Sequence, residues 1–125
     1  MSSELYEVSL LGLSVERARI EAATFNIANM NVMASSPADV MRMKQVDFSR
    51  LLTTNQVEIT DYQDVQSKYL PEHHLADENG FVYLPKVSLA SEMLQLNMAT
   101  RAYEANVRAF NATKQMNSKA LEIGK

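Results

Sequence analysis

The sequence predicts a mainly α fold, with long N- and C-terminal helices pairing as a coiled coil and a small irregular or β-hairpin-containing middle. Three observations predict it. Apolar residues recur at three-four spacing through both ends of the chain. The three glycines and three prolines leave those ends almost unbroken, with Gly12 inside the first and Gly124 at the far edge of the last. Short β-type runs and a strong turn signal lie between them.

Residues 1–30 form the first helical segment. Val8, Leu11, Val15, Ala18, Ala22, Phe25 and Asn29 fall on one helix face, and Leu13, Ile20 and Ile27 add a second row. Glu16, Arg19, Glu21 and Asn26 largely fill the gaps. Ser2 or Ser3 is the expected N-cap, and Glu4 and Glu7 suit the positive end of the helix dipole. Such a helix is roughly 40 Å long.

Residues 31–87 form the middle. Met33 to Pro37 reads as a loop. Lys44 to Leu52 alternates weakly through Val46 and Phe48. Val57 to Thr60 and Phe81 to Leu84 are short β-type runs. Asp77-Glu78-Asn79-Gly80 is a turn signal, with Gly80 available for positive φ.

Residues 88–125 form the last segment. Leu89, Met93, Leu96, Thr100, Tyr103, Val107 and Phe110 step by three or four. Ala102, Ala105, Ala109, Ala112, Met116, Ala120 and Ile123 make a second row of mostly small residues, which permits close approach of another helix. Ser88 is the expected N-cap and Gly124 the expected C′ residue. Its length is roughly 50 Å. The first and last segments form one helical domain. Two helices cover one stripe each, so each retains exposed apolar surface that an ordinary monomer does not tolerate. The sequence therefore predicts a subunit of a helical assembly, with helices only partly ordered before docking.

Composition excludes other classes. The 125 residues suffice for one domain, and a formal net charge of −3 without a basic patch argues against nucleic acid. There is no cysteine, so no disulfide, thiol nucleophile or thiolate metal site. No run of about 18 apolar residues exists, so direct membrane insertion is not expected. No cleavable signal peptide is visible; the first basic residue is Arg17.

Candidate chemistry is thin. His73-His74 with Asp77 and Glu78 resembles a metal cluster, but adjacent histidines on an extended strand point to opposite faces. Asp77-x-Asn79-Gly80 echoes a calcium loop without its later ligands. Asp61, Asp64, Glu16 and Glu21 sit in solvated stretches, and no G-x-S-x-G or phosphate-binding glycine loop occurs. The expectation is no enzyme, no metal and no cofactor. Of the eight methionines Met1 is the initiator, and the other seven read as packing material, with a Met-rich recognition groove as the alternative.

Two stretches resemble a known family. Gly12-Leu13-Ser14-Val15-Glu16-Arg17-Ala18-Arg19-Ile20, leading to Asn26-Ile27-Ala28-Asn29, is similar to the N-terminal signature of the flagellar basal-body rod proteins. Asn79-Gly80-Phe81-Val82, Pro85-x-Val87, Glu92-Met93, Arg101 to Val107, Asn111-x-x-Lys114-x-Met116 and Leu121-x-Ile123-Gly124 resemble their C-terminal pattern, most closely that of proximal-rod members. Arg42-x-Lys44-Gln45-Val46-x-Phe48 adds a third match. Met30-Asn31-Val32 departs from the Thr-rich continuation usual after Asn29, and the middle is shorter than usual.

The resemblance implies a structural subunit of the tubular axial rod, exported by the flagellar type III apparatus without signal cleavage. Its expected partners are other rod proteins and itself. It also turns Asn26, Asn29, Arg101, Asn106 and Asn111 into expected register-setting contacts. The full set expected to carry subunit interaction is Leu11, Gly12, Val15, Arg17, Phe25, Asn26, Asn29, Met93, Leu96, Arg101, Tyr103, Asn106, Val107, Phe110, Asn111 and Met116. The alternative reading is a soluble helical adaptor or export chaperone that binds a partner helix.

Overall fold

The computed structural model describes residues 2–124. In chain order it has α1 (Ser2–Asn29), a 3-10 turn (Pro37–Asp39), β1 (Met43–Asp47), α2 (Leu51–Thr54), β2 (Glu58–Tyr62), β3 (Val65–Tyr69), β4 (Phe81–Pro85) and α3 (Leu89–Ile123). The fold is mainly α. The 28-residue α1 and 35-residue α3 pack antiparallel, from Asn26 beside Glu92 to Tyr6 against Phe110, and two short hairpins make up the middle.

α3 starts where the sequence places it. Ser88 Oγ accepts from Ser91 N at 3.2 Å, satisfying one of the amides a helix start leaves orphaned. The other end differs from expectation. Gly124 has φ −74 and stays right-handed, so α3 does not close on a left-handed residue. The cap expected from Ser2 or Ser3 lies outside the side chains described.

The inward edge of α3 is also displaced from the most apolar row. Glu92, Leu96, Ala99, Tyr103, Asn106, Phe110, Thr113 and Asn117 are less exposed, stepping alternately by four and three, with Ala102 and Val107 beside that line. That alternation is the heptad spacing of a coiled-coil seam. Leu89, Met93 and Thr100, from the row chosen on hydrophobicity, are exposed. Buried alanines (Ala18, Ala22 and Ala23 on α1, Ala99 on α3) let the backbones approach. Gly12 serves the same end, since a Cβ there would sit 3.0 Å from Asn106 Nδ2. Nearer the start of α1, Tyr6 meets Phe110 edge-to-face at 5.2 Å between ring centroids.

The hairpins are antiparallel, β1 with β2 and β3 with β4, in register Gln45 opposite Thr60 and Ser67 opposite Tyr83. The weak alternation from Lys44 is a strand only to Asp47; Leu51 and Leu52 belong to the helical turn α2. β3 has no apolar alternation, so only its pairing with β4 makes it a strand. The 31–37 loop is tied down by Ala34, whose N–H donates to Tyr83 O at 2.7 Å and whose O accepts from Tyr83 N at 2.9 Å. Met43 and Val40 with Val82 and Leu84 supply the large buried apolar side chains of the middle.

The 70–80 turn is built on Asp77. Its carboxylate accepts from the Asn79 and Phe81 amides, both at 2.9 Å, and from the Tyr83 hydroxyl at 2.7 Å. Gly80 has φ +88, and a Cβ there would meet Tyr69 Cε1 at 2.8 Å, so only glycine fits. The Tyr83 hydroxyl bond, with the backbone amides, holds the Asp77 carboxyl below its ordinary pKa. Its stabilising contribution is therefore complete above the unfolded carboxylate pKa of about 3.9 and is lost as pH falls through the lower folded value. Asp77→Asn is expected to lower Tm at neutral pH and to flatten the Tm profile below about pH 4. Thermal melts across pH check this; an unchanged profile would refute it.

Candidate functional site

The histidine pair does not sit on a strand. His73 and His74 lie in a turn and stack at 4.6 Å, and His73 Nδ1 accepts from Leu75 N at 3.0 Å. The two rings therefore lie side by side and do not point to opposite faces, as they would on a strand. Among the described residues no group of three His, Asp or Glu is placed to hold a metal. Asp77 spends its oxygens on the turn.

The organised polar site is where α1, β1 and α3 meet. Asn26, 2% exposed, points from α1 at the edge of β1. Its Oδ1 accepts from Lys44 N at 2.7 Å, and its Nδ2 donates to Lys44 O at 2.8 Å. One carboxamide thus pairs both backbone groups of Lys44, as a neighbouring strand residue would. The same Nδ2 donates to Glu92 Oε1 at 3.3 Å, which brings in α3. Every hydrogen-bonding atom of the buried amide has a partner, so its burial costs little.

Beside this junction is a cleft of about 280 Å³. Lys44 lies on its wall with Nζ 4.7 Å from the Phe25 ring centroid and 3.3 Å from Asp61 Oδ1. Arg19 also lines it, with Cζ 5.0 Å from the Phe48 ring centroid and Nε 3.9 Å from Glu16 Oε2. Partial burial raises the Glu92 pKa, against the lowering effect of the Asn26 bond. Burial also raises that of Tyr62, reinforced by the charges of Glu92 and Asp64.

The sequence-predicted residues fall into three settings. Phe25 and Asn26 join the junction, while Asn29 turns back to its own helix, Nδ2 donating to Phe25 O at 2.9 Å. Gly12, Leu96, Tyr103, Asn106 and Phe110 lie in or beside the α1–α3 seam, and Leu11, Val15 and Val107 are half-buried. Arg17, Met93, Arg101, Asn111 and Met116 are exposed. Sequence reasoning passed over Lys44, Glu92, Arg19 and Phe48 as site residues. Glu92 lies one helical turn before Leu96, but the apolar periodicity passes through its neighbour Met93, so a charged side chain there gives no signal.

Exposed apolar side chains flank the seam. On α1 these include Leu5, Val8 and Leu10; on α3 they include Leu94, Met98 and Met116. No helix is long and apolar enough to cross a membrane among the described residues. Such surface is what a helix pair presents when further helices are to cover it.

Comparison with known proteins agrees with this architecture. Residues 78–123 match the family model described as Flagellar basal body rod FlgEFG protein C-terminal. The chain is 33% identical to flagellar basal-body rod protein FlgC of Bacillus subtilis (strain 168) over 142 aligned positions, covering 94% of this chain and 95% of the relative. It is 30% identical to FlgC of Escherichia coli O157:H7, with 96% of each covered. It is 29% identical to FlgC of Aquifex aeolicus (strain VF5), with 95% of this chain and 94% of the relative covered. With likeness sustained over nearly the whole length of both chains, this protein belongs to the flagellar basal-body rod protein FlgC family.

Proposed function

We infer that the chain is a structural subunit of the flagellar basal-body rod. The observation that carries this, beside family membership, is the apolar surface left outside the α1–α3 seam: Val8 is 69% and Met98 62% exposed. Burying such side chains against neighbouring helices contributes roughly 25 cal/mol per Å² of apolar surface, enough to drive assembly when summed along two long helices. In this reading the helices line a tubular rod on its proximal side, and the hairpins face outward or bridge to neighbours. The partners are other rod proteins and further copies of the chain, reached after passage through the flagellar export apparatus. The role is mechanical, without catalysis. Full-length likeness to rod proteins does not favour a soluble adaptor.

Basal-body purification tests this reading. The chain is expected to co-purify with rods, and its deletion to yield basal bodies without a complete rod. Recovery only in the cytoplasmic fraction, with intact rods in the deletion strain, would refute it.

A further inference from the structure

The cleft beside the junction holds one charge that its own chain leaves unmatched. Both of its cations are engaged, Arg19 with Glu16 and the Phe48 ring, Lys44 with Asp61 and the Phe25 ring. Among the described residues Glu92 makes no ion pair, and its one side-chain hydrogen bond is the 3.3 Å contact from Asn26. A half-buried carboxylate loses hydration that one long hydrogen bond does not replace, which agrees with its raised pKa. Around it are the amides of Gln45 and Gln95 and the apolar walls of Val46 and Phe48. These groups fit a guanidinium on an aliphatic stem: the planar head reaches carboxylate and amide oxygens together, and the stem lies against the ring.

Arg101 is a matching group on the same helix. It is exposed and makes no ion pair among the described residues. Leu94, Met98 and Ala105, one and two turns away on the same face, are exposed with it. A stripe of apolar side chains around one unpaired cation complements a cleft in which Arg19 and Lys44 are paired within the chain and the one unpaired charge is the Glu92 carboxylate. Within a single chain the two cannot meet. Arg101 and Glu92 stand nine positions apart, about 13 Å along the axis and about two and a half turns around it, which puts them on opposite faces of α3. Two complementary patches on opposite faces give a heterologous contact, in which each copy offers one patch to each of two neighbours.

We propose that Arg101 of one copy, flanked by Leu94 and Met98, docks in the Glu92 cleft of a second copy. This rests on the rod-subunit reading and names the neighbour that the cleft receives.

Charge reversal tests it in cells. Arg101→Glu and Glu92→Arg are each expected to reduce swimming by about tenfold or more, and the double variant to restore it, because every copy then carries the exchanged pair. Glu92→Gln guards against simple misfolding, because its amide oxygen still accepts from Asn26. It is expected to keep wild-type helicity while swimming is impaired. Disulfide trapping supplies a second readout in this cysteine-free chain. Phe48→Cys and Ala105→Cys chains, mixed and oxidised, are expected to give a mixed dimer that Glu92→Gln prevents. Normal swimming of both reversals overturns the proposal, as does a mixed dimer insensitive to Glu92→Gln. If those results come with the chain present in purified basal bodies, the rod reading stands and only the pairing falls. Absence from basal bodies removes both.

Discussion

Replacing Asn26 with alanine is expected to destabilise the chain by about 3 kcal/mol, the largest single-residue loss outside the turn glycine. The variant leaves the Lys44 N–H and C=O without their partner and strips Glu92 of its hydrogen bond. Each buried backbone group left unpaired costs about 1–3 kcal/mol. A domain of this size has only about 5–15 kcal/mol of stability, so the change removes a substantial share of it. Asn26→Asp separates the contributions. It keeps an acceptor for Lys44 N but sets a second carboxylate against the Lys44 carbonyl and Glu92. It is expected to be at least as damaging at neutral pH and to recover partly on acidification, when a carboxyl regains a proton to donate. Urea denaturation measures the loss, and amide exchange at Lys44 shows where it arises. A loss below about 1 kcal/mol, with the Lys44 amide still protected, would mean that the hairpin is held to α1 by apolar packing alone.

Val8→Asp and Met98→Asp are expected to abolish rod assembly and swimming while leaving the stability of the isolated chain within about 0.5 kcal/mol of wild type. Both side chains are mostly exposed, so a charge there costs the monomer little. In an assembly that covers them, the same carboxylate is desolvated without a partner, at a cost of several kcal/mol for every copy. Leu96→Asp is the contrast. Leu96 lies half-buried on the seam side of α3, so this variant should lower the melting temperature of the chain itself. Melts of purified chains together with swimming halos distinguish the cases. Normal swimming of Val8→Asp and Met98→Asp would show that those faces stay in solvent in the working structure.

The junction also shows how far the sequence could be read. Both helices were legible because long amphipathic repeats have few competing structures and their breakers lie outside them. The Ser88 cap and the Gly80 turn were legible because each rests on chemistry within a few residues. β3 was not, since a polar run such as Gln66-Ser67-Lys68 becomes a strand only through its β4 partner. Which side of α3 faces α1 was not legible, because periodicity marks two apolar rows and the seam takes Leu96, Tyr103 and Phe110 from the first while leaving Leu89 and Met93 exposed. Asn26 was singled out as a polar residue on an apolar stripe, which sequence can see. Its partner 18 residues away on β1 is a tertiary fact.

The sequence by itself therefore determined two long helices, a punctuated middle and more apolar surface than one helix pair can bury. Those properties follow from local spacing and propensity. Only the tertiary structure decided which faces the two helices spend on each other, since that depends on where Gly12, Ala23 and Ala99 allow close approach. Only it showed that Asn26 joins three elements and that Glu92 is left beside an open cleft, because both depend on residues far apart in sequence meeting in space.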